Sequence, residues 1–146
     1  MDEAVEAVGQ LLGVSDWIAI DQGLINAFAD ATGDHQWIHV DVDRARTESP
    51  YRTTIAHGFL TLSLIPALSK DIYRLDNAKM GINYGLNKVR FLAPVPAGTR
   101  IRLRSDLVDA KEVNETTVDL TVRQTVELHG SEKPAAVAEV IARMIF

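Results

Sequence analysis

Residues 57–75 have the sequence HGFLTLSLIPALSKDIYRL, and this segment decides the fold of the 146-residue chain. Its apolar side chains cover most of the circumference of a helix instead of one stripe, which is typical of a helix buried on several sides. At about 1.5 Å per residue, a helix over the whole segment would be about 28 Å long, enough to form the axis of a small domain. Because an interior proline usually bends a helix, we expect a kink between Leu62 and Pro66.

From Gly85 onward the hydrophobic period changes from 3.6 residues to 2. Apolar and polar residues alternate over 99–103 and 118–128, a last strand is expected over 135–146, and turns are expected at 94–98, 111–115 and 129–134. Short turns between long strands predict an antiparallel sheet. The sequence therefore predicts a single α+β domain over residues 1–146, in which an antiparallel sheet wraps a long central helix. Pairing an exposed sheet edge with a second copy would protect it, so we expect a homodimer.

The first half of the sequence predicts shorter helices and a strand, which precede this central helix in the chain. Residues 2–12 have apolar residues at helical spacing and are followed by Gly13, and a strand is expected over 16–20. Asp21 is a good residue to begin a second helix and Gly33 to end it. The polar segment 41–50 predicts a short helix and a loop.

Composition excludes several classes of protein. The chain is 47% hydrophobic and 24% charged, as in an ordinary globular protein. No apolar run approaches the roughly 18 residues of a membrane span, and the first residues are acidic where a signal peptide is basic, so we expect a cytoplasmic protein with no membrane partner. The chain contains no cysteine, which excludes disulfides and thiolate chemistry. A net charge of −5 argues against a nucleic-acid partner.

Asp34 and His39 are the first candidates for chemistry. They lie five residues apart in residues 32–39, TGDHQWIH, where the chain leaves the second helix. Carboxylates and imidazoles are common proton carriers at neutral pH. An Asp after a Gly is also ordinary turn chemistry, and His39 between apolar neighbours fits a half-buried histidine with a satisfied hydrogen bond. Neither residue alone indicates a site.

Gly58 lies where the central helix is expected to begin. The first N–H groups of a helix have no intrahelical partner, and a glycine lets a ligand approach them closely. The alternative is a glycine needed only for close packing of helix on sheet. Ser63 lies five residues further on this buried helix, where its hydroxyl requires a partner that the preceding carbonyls can supply.

A metal site is the weaker interpretation of the histidine cluster. Its candidate ligands are His35, His39, Asp41 and Asp43. The neighbouring residues favour a stable helix poorly, the usual Glu is missing, and the aspartates lack the glycine of a calcium loop. We therefore predict no metal.

Basic residues concentrate on two predicted strands of this acidic chain. Lys88 and Arg90 share a face of one strand, and Arg100, Arg102 and Arg104 share a face of the next. A solvated strand face is the default explanation, because antiparallel sheets normally expose their charges in this way. A ligand that carries phosphate groups is the alternative.

Taken together, these motifs resemble the MaoC-like, (R)-specific enoyl-CoA hydratases. The resemblance lies in residues 28–39 (FADATGDHQWIH), Ala45, residues 56–59 (AHGF) and Ser63. It follows the family pattern of an aromatic residue, Thr-Gly-Asp, a His five residues after the Asp, and a small residue six beyond the His. Residues 83–91 (NYGLNKVRF) and the turn at 94–98 also resemble the second half of the family.

The resemblance implies a hot dog fold, a homodimer and reversible addition of water to a trans-2-enoyl-CoA. It implies that Asp34 and His39 form the catalytic dyad, that the Gly58 N–H binds the thioester oxygen, and that Ser63 supports the site. Lys88 and Arg90 are candidate contacts to the CoA phosphates, and no cofactor is implied beyond the CoA thioester substrate itself. Many members have Asn-Pro where this chain has Gln36-Trp37.

Two other functions remain open from the sequence. One is a hot dog acyl-CoA thioesterase, which uses a similar oxyanion site but releases free CoA. The other is a non-catalytic module that binds acyl-CoA or an acyl carrier, resembling the nodulation-protein-N-like relatives of the family. The combination of Asp34, His39 and Gly58 favours catalysis, because binding alone does not need an aligned acid/base pair.

Overall fold

Four long strands in the second half of the chain form most of a single antiparallel sheet. The computed structural model describes residues 2–146, with side chains from residue 3 onward. Its elements in chain order are α1 (Asp2–Glu6), β1 (Leu11–Val14), β2 (Ile18–Ile20), α2 (Gln22–Thr32), α3 (Trp37–Val40), α4 (Val42–Glu48), α5 (Gly58–Ser63), α6 (Ile65–Ser69), β3 (Met80–Phe91), β4 (Thr99–Asn114), β5 (Thr117–Leu128) and β6 (Ala136–Ile145).

The sheet has the strand order β1-β4-β5-β6-β3, with β2 also paired to β4, and every pairing is antiparallel. Alternate side chains of β4 and β5 are buried. Those near one end of the two strands pack against Ile25 of α2, Leu60 of α5, and Ile65 and Leu68 of α6. Those further along the strands form a second, smaller apolar cluster with Ala4 of α1. This sheet wrapped around helices confirms the predicted α+β roll.

The central helix differs from the prediction, because one continuous helix over residues 57–75 was wrong. The segment forms α5 and α6, which are joined at Leu64, and the helical backbone ends at Ser69. Pro66 lies in the first turn of α6, where its missing N–H breaks no intrahelical bond. The proline therefore marks a new helix start at the place where a kink was expected.

The prediction of a helix over residues 2–12 was also too long, since α1 ends at Glu6. The chain turns at Gly9, which has a φ of 87°. The Gly9 N–H donates to the Leu107 carbonyl at 2.8 Å, and the Leu107 N–H donates to the Gln10 carbonyl at 3.0 Å. Hydrogen bonds to β4 thus draw residues 11–14 into the sheet as β1.

The expected start and end of the second helix are confirmed. The Asp21 carboxylate accepts a hydrogen bond from the Leu24 N–H at 2.8 Å, and Gly33 ends α2 with a φ of 81°. The predicted strand over 16–20 is the shorter β2, and the segment 41–50 contains α4 as expected. Two strand limits differ: β3 already begins at Met80, and β4 continues to Asn114 through the turn that was predicted at 111–115.

Strand β3 lies at one end of the sheet, where its outer edge has no neighbour within residues 2–146. Several of its large apolar side chains are exposed: Met80, Ile82, Tyr84, Leu86 and Phe91. Within the described part of the chain, no helix is long and apolar enough to span a membrane.

Candidate active site

Asp34 lies in the turn between α2 and α3, immediately after the residue that ends α2. Its side chain is exposed, and its carboxylate accepts a hydrogen bond from the Gln36 N–H at 3.3 Å. This local bond is the turn chemistry that the sequence allowed. A second bond comes from outside the turn: the Nε2–H of His57 donates to the Asp34 backbone carbonyl at 2.9 Å.

His39 lies in the single turn of α3 and is buried, with 7% of its surface exposed. Its Nδ1 is 2.7 Å from the Ile55 carbonyl. A carbonyl can only accept, so Nδ1 carries the proton and Nε2 keeps a lone pair. Burial lowers the pKa of His39, and the neighbouring His57 lowers it further. His39 is therefore a neutral imidazole with a free basic nitrogen at pH 7.

The carboxylate of Asp34 and the rings of His39 and His57 form one cluster. One oxygen or nitrogen atom from each residue lies within 4.8 Å of those of the other two. Two hydrogen bonds of about 2.8 Å that meet at a water molecule at a tetrahedral angle span about 4.6 Å. The separation of these groups is therefore compatible with one water held between Asp34 and His39.

His39 opens onto a cavity of about 380 Å³. The first half of the chain contributes Tyr51, Ile55, Ala56, Gly58 and Thr61 to its wall, and the second half contributes residues 91–95 and Ala135. The wall is mostly apolar, as in small-molecule sites that hold a few polar groups in fixed positions. The imidazole thus faces a space that can admit an apolar substrate.

Gly58 is the first residue of α5 and lines this cavity. The bonds that begin the helix run from the N–H groups of Leu60 and Thr61 to the His57 carbonyl, so the Gly58 N–H has no intrahelical acceptor. A Cβ at Gly58 would lie 3.1 Å from Cγ of Phe91. Gly58 therefore packs closely against the sheet, and it also borders the cavity.

Ser63 lies elsewhere, and the expectation that it is buried was wrong. It is exposed at the end of α5, where its hydroxyl donates to the Phe59 carbonyl at 2.6 Å. It lines a different cavity, together with Leu62, Tyr84 and Leu86. The structure does not bring Ser63 to the cavity of His39.

Lys88 and Arg90 are exposed and line a separate groove of about 440 Å³ with Arg123 and Glu139. Leu92 lines both this groove and the cavity of His39, so the two spaces are neighbours. Three cationic side chains and one carboxylate give the groove a net positive charge.

The arginines of β4 are engaged with nearby side chains. Arg102 binds Glu127 at 2.6 Å, Arg104 binds Asp106 at 3.2 Å, and an Arg100 nitrogen is 3.2 Å from His129 Nε2. These contacts agree with the interpretation of this strip as an ordinary strand surface.

The residues first considered as metal ligands are dispersed. His35 Nε2 is 2.9 Å from the exposed carboxylate of Asp30, and this hydrogen bond raises the pKa of His35. Asp41 instead begins α4 by accepting from the Arg44 N–H at 3.0 Å. In the cluster that does form, His57 Nε2 is already donating to the Asp34 carbonyl, so binding a cation through that atom would require this bond to break.

Comparison with known proteins assigns this chain to a family. The family model described as "MaoC like domain" matches residues 3–128, which is most of the chain. The chain belongs to the MaoC-like family. It is an enzyme of the hydratase and dehydratase class with a hot dog fold.

Three similar proteins illustrate the relationship. The 3-hydroxyacyl-thioester dehydratase Z of Mycobacterium tuberculosis is 55% identical over 95% of this chain and 91% of that protein. Nodulation protein N of Rhizobium meliloti is 45% identical over 97% of this chain and 89% of that protein. The structure of the (R)-hydratase from A. caviae superposes with a TM-score of 0.75 at 22% identity, over 92% of this chain and 94% of that one.

In this MaoC-like chain, Gln36 and Trp37 take the place of the Asn-Pro found in many members. Gln36 directly precedes α3, and its N–H binds the Asp34 carboxylate. The Trp37 ring lies 4.2 Å below the guanidinium of Arg44, a cation–π contact that connects α3 to α4. The departure from the family pattern thus provides a contact between the His39 helix and its neighbour.

Sequence reasoning missed one member of the cluster, His57. It was visible only as part of the AHG motif, and no role was assigned to it. The available signal was its position directly before a glycine that begins a helix. Its contacts with Asp34 and His39 could not be predicted, because those residues lie well before it in the sequence. Thr61, which lines the cavity, was likewise hidden within the apolar pattern of the central segment.

The depressed pKa of His39 predicts that the contribution of this residue to the free energy of unfolding falls between pH 7 and pH 5. The folded pKa lies below the ordinary value of 6.5, so the neutral ring contributes fully above pH 6.5 and its contribution is lost as the pH falls below that value. Urea unfolding at pH 7 and at pH 5 measures this change. The free energy of unfolding should decrease less for His39→Gln than for the wild type.

His35→Gln is the matched control for this measurement, because the pKa of His35 is shifted upward. In His35→Gln, the free energy of unfolding should decrease by as much as in the wild type, or by more. Equal decreases in His39→Gln and the wild type would contradict a depressed His39 pKa.

Proposed function

We propose that this enzyme catalyses the reversible addition of water to a trans-2-enoyl-CoA, giving an (R)-3-hydroxyacyl-CoA, with Asp34 and His39 as the dyad that activates water. The observation that carries the proposal is the approach of the two groups to within 4.8 Å, with the Nδ1 of His39 committed to Ile55. The Nε2 lone pair and the carboxylate can then accept the two hydrogens of one water molecule.

In the hydration direction, the water oxygen bonds to C3 while one member of the dyad removes a proton from it. The electrons of the C2–C3 double bond move toward the thioester carbonyl, and the dyad returns a proton to C2. The substrate thus gains one hydrogen and one hydroxyl, which together equal the water consumed. Positioned acid and base groups commonly contribute about 10²- to 10⁴-fold.

Negative charge gathers on the thioester oxygen during this step, and we assign the Gly58 N–H as its donor. The support is that Gly58 lines the same cavity as His39 and that its N–H begins a helix. Since α5 has only six residues, the directed N–H matters more than a long helix dipole. A donor of this kind is worth about 2.7–4 kcal/mol in other enzymes. Ser63 would contribute only through its bond within α5.

The CoA carrier is supported by the cationic groove. Lys88, Arg90 and Arg123 line a space next to the catalytic cavity, and phosphate groups favour such a cluster of cations. The proposed reaction uses no metal or redox cofactor, and a cytoplasmic location belongs to the same proposal. The name of the Mycobacterium tuberculosis relative, a 3-hydroxyacyl-thioester dehydratase, favours a thioester substrate.

Assays with an enoyl-CoA also test the two alternatives that the sequence left open, a thioesterase and a module that binds acyl thioesters without turnover. A thiol-reactive dye distinguishes the thioesterase, because hydration leaves the thioester intact and releases no free thiol. Saturable binding of an enoyl-CoA with no loss of its absorbance would favour the binding module.

We also propose that two copies of the chain pair through the outer edge of β3. This edge has no partner within residues 2–146, and its side chains include exposed Met80, Ile82 and Leu86. An uncovered apolar edge strand tends to pair with another chain, and a self-complementary edge gives a twofold dimer.

Replacing Asp34 by Asn or His39 by Gln should lower kcat for crotonyl-CoA hydration by about 10²-fold or more, because an amide can still accept a hydrogen bond but cannot take up a proton from the reacting water. The loss of enoyl absorbance measures the rate, and the thiol dye is added in parallel. Asp30→Asn is the matched control, since Asp30 is an exposed carboxylate that binds His35. Near-normal turnover in either dyad variant would refute the assignment.

Replacing Lys88 or Arg90 by Ala should raise KM for crotonyl-CoA about fivefold with little change in kcat, which corresponds to a loss of about 1 kcal/mol of binding. The effect should vanish with a crotonyl thioester of N-acetylcysteamine, which carries no phosphate. Lys111→Ala provides an exposed control away from this groove. An equal effect on both substrates would contradict a phosphate contact.

Replacing Ile82 by Lys should convert a dimer into a monomer, because it places a charge on the proposed interface. The mass in solution is measured by light scattering after size-exclusion chromatography. Val113→Lys is the matched control, since Val113 is 44% exposed and Ile82 is 42% exposed, but Val113 lies on β4. A monomeric wild type, or a dimeric Ile82→Lys variant, would refute this interface.

A further inference from the structure

We propose that His57 is a positioning residue that holds Asp34 and His39 in the geometry needed to share one water molecule. The inference rests on the proposed function of that dyad. His57 is 2% exposed and directly precedes Gly58, so it is fixed at the start of α5.

The first contact that supports this role is the hydrogen bond from His57 Nε2–H to the Asp34 backbone carbonyl, at 2.9 Å. The other hydrogen bonds that Asp34 itself makes are longer: its N–H is 3.4 Å from the Thr32 hydroxyl, and the Gln36 N–H is 3.3 Å from its carboxylate. Because Asp34 is exposed on a turn, the bond from a buried ring is its strongest restraint.

The second contact is a ring stack. The rings of His57 and His39 lie 3.8 Å apart with an angle of 25° between their planes. The Phe28 ring lies 5.0 Å from that of His57. A ring held by two aromatic neighbours and a hydrogen bond cannot tilt freely, so His57 fixes the plane of His39 as well as the Asp34 backbone.

The third observation concerns the remaining nitrogen of His57. Its Nε2 carries a proton, because it donates to a carbonyl, and in the neutral ring Nδ1 then keeps a lone pair. That Nδ1 is buried and has no hydrogen-bond partner among the residues that the structure describes. A buried polar atom without a partner destabilises the fold, and such atoms in native proteins call for an explanation. The positioning of Asp34 and His39 by the His57 ring explains why this unpartnered nitrogen is present.

These observations predict that a substitution of His57 can preserve the stability of the fold while it lowers kcat. A Phe at position 57 keeps an aromatic ring and removes the unpartnered nitrogen, but it also removes the bond to Asp34. His57→Phe should therefore be as stable as the wild type or more so. Its kcat should fall about 10- to 100-fold with KM within about twofold, because a displaced reacting group is costly in rate.

His57→Gln tests the hydrogen bond separately, since the amide nitrogen of Gln can donate where Nε2 did. It should retain more of kcat than His57→Phe, although it lacks the stacked ring. Phe28→Leu is the matched packing control: it disturbs a ring neighbour of His57 but leaves the bond to Asp34, and its kcat should fall less than that of His57→Phe. This rescue and this control separate positioning from packing.

A measurement that does not depend on turnover separates the positioning role of His57 from the proposed reaction. Nuclear magnetic resonance of the ring nitrogens should show His57 protonated on Nε2 and His39 on Nδ1 in the wild type. The amide of Gln36 should exchange its hydrogen faster in His57→Phe than in His57→Gln, because the Asp34 turn is released. If the wild type hydrates no enoyl thioester but these signals appear, the proposed reaction fails while the positioning stands.

The inference itself is overturned by any of three results. The first is a His57→Phe variant with wild-type kcat and unchanged exchange at Gln36. The second is equal kcat loss in Phe28→Leu and His57→Phe, which would indicate packing alone. The third is the opposite tautomer of His57 in the wild type.

Discussion

The segment Thr54–Ala56 is hydrogen-bonded on both sides, and this constraint positions every group at the site. On one side, the Ile55 N–H donates to the Ile38 carbonyl at 3.0 Å, and the Ile55 carbonyl accepts from the His39 ring at 2.7 Å. On the other side, the Ala56 N–H donates to the Val95 carbonyl at 2.8 Å, and the Ala97 N–H donates to the Thr54 carbonyl at 2.9 Å. His57 and Gly58 follow directly, so their places are set by the same bonds.

A buried side-chain network strengthens this constraint from a third direction. Gln22, at the start of α2, donates from Nε2 to the His39 carbonyl at 2.7 Å and accepts from the Thr54 hydroxyl at 2.5 Å. Each bond contributes about 1 kcal/mol net, but loss of one partner would leave the other buried and unsatisfied, at a cost of about 1–3 kcal/mol. The backbone around His39 is therefore connected to α2, to the segment 54–56 and, through it, to the turn after β3.

The features that the sequence predicted well depend on neighbours in the chain. Asp21 and Gly33 begin and end α2 through local bonds and a left-handed backbone, and alternation of apolar residues identified β5. The errors involve partners far along the chain. Residues 11–14 have helical spacing but pair with β4. Pro66 indicated the break between α5 and α6 locally, but as a kink in one helix and not as the start of a second. His57 shows the same limit, since its contacts with Asp34 and His39 exist only after folding.

The groups proposed to carry out the reaction and much of the surface proposed to hold the substrate come from different halves of the chain. Asp34, His39, His57 and Gly58 all precede α6, whereas residues 91–95, Ala135 and the cationic groove of residues 88–139 follow it. The crossover between these halves is the segment 70–79, which contains neither helix nor strand. Recombination within that crossover could exchange the acyl and carrier preference of one relative for that of another while the reaction itself is inherited intact.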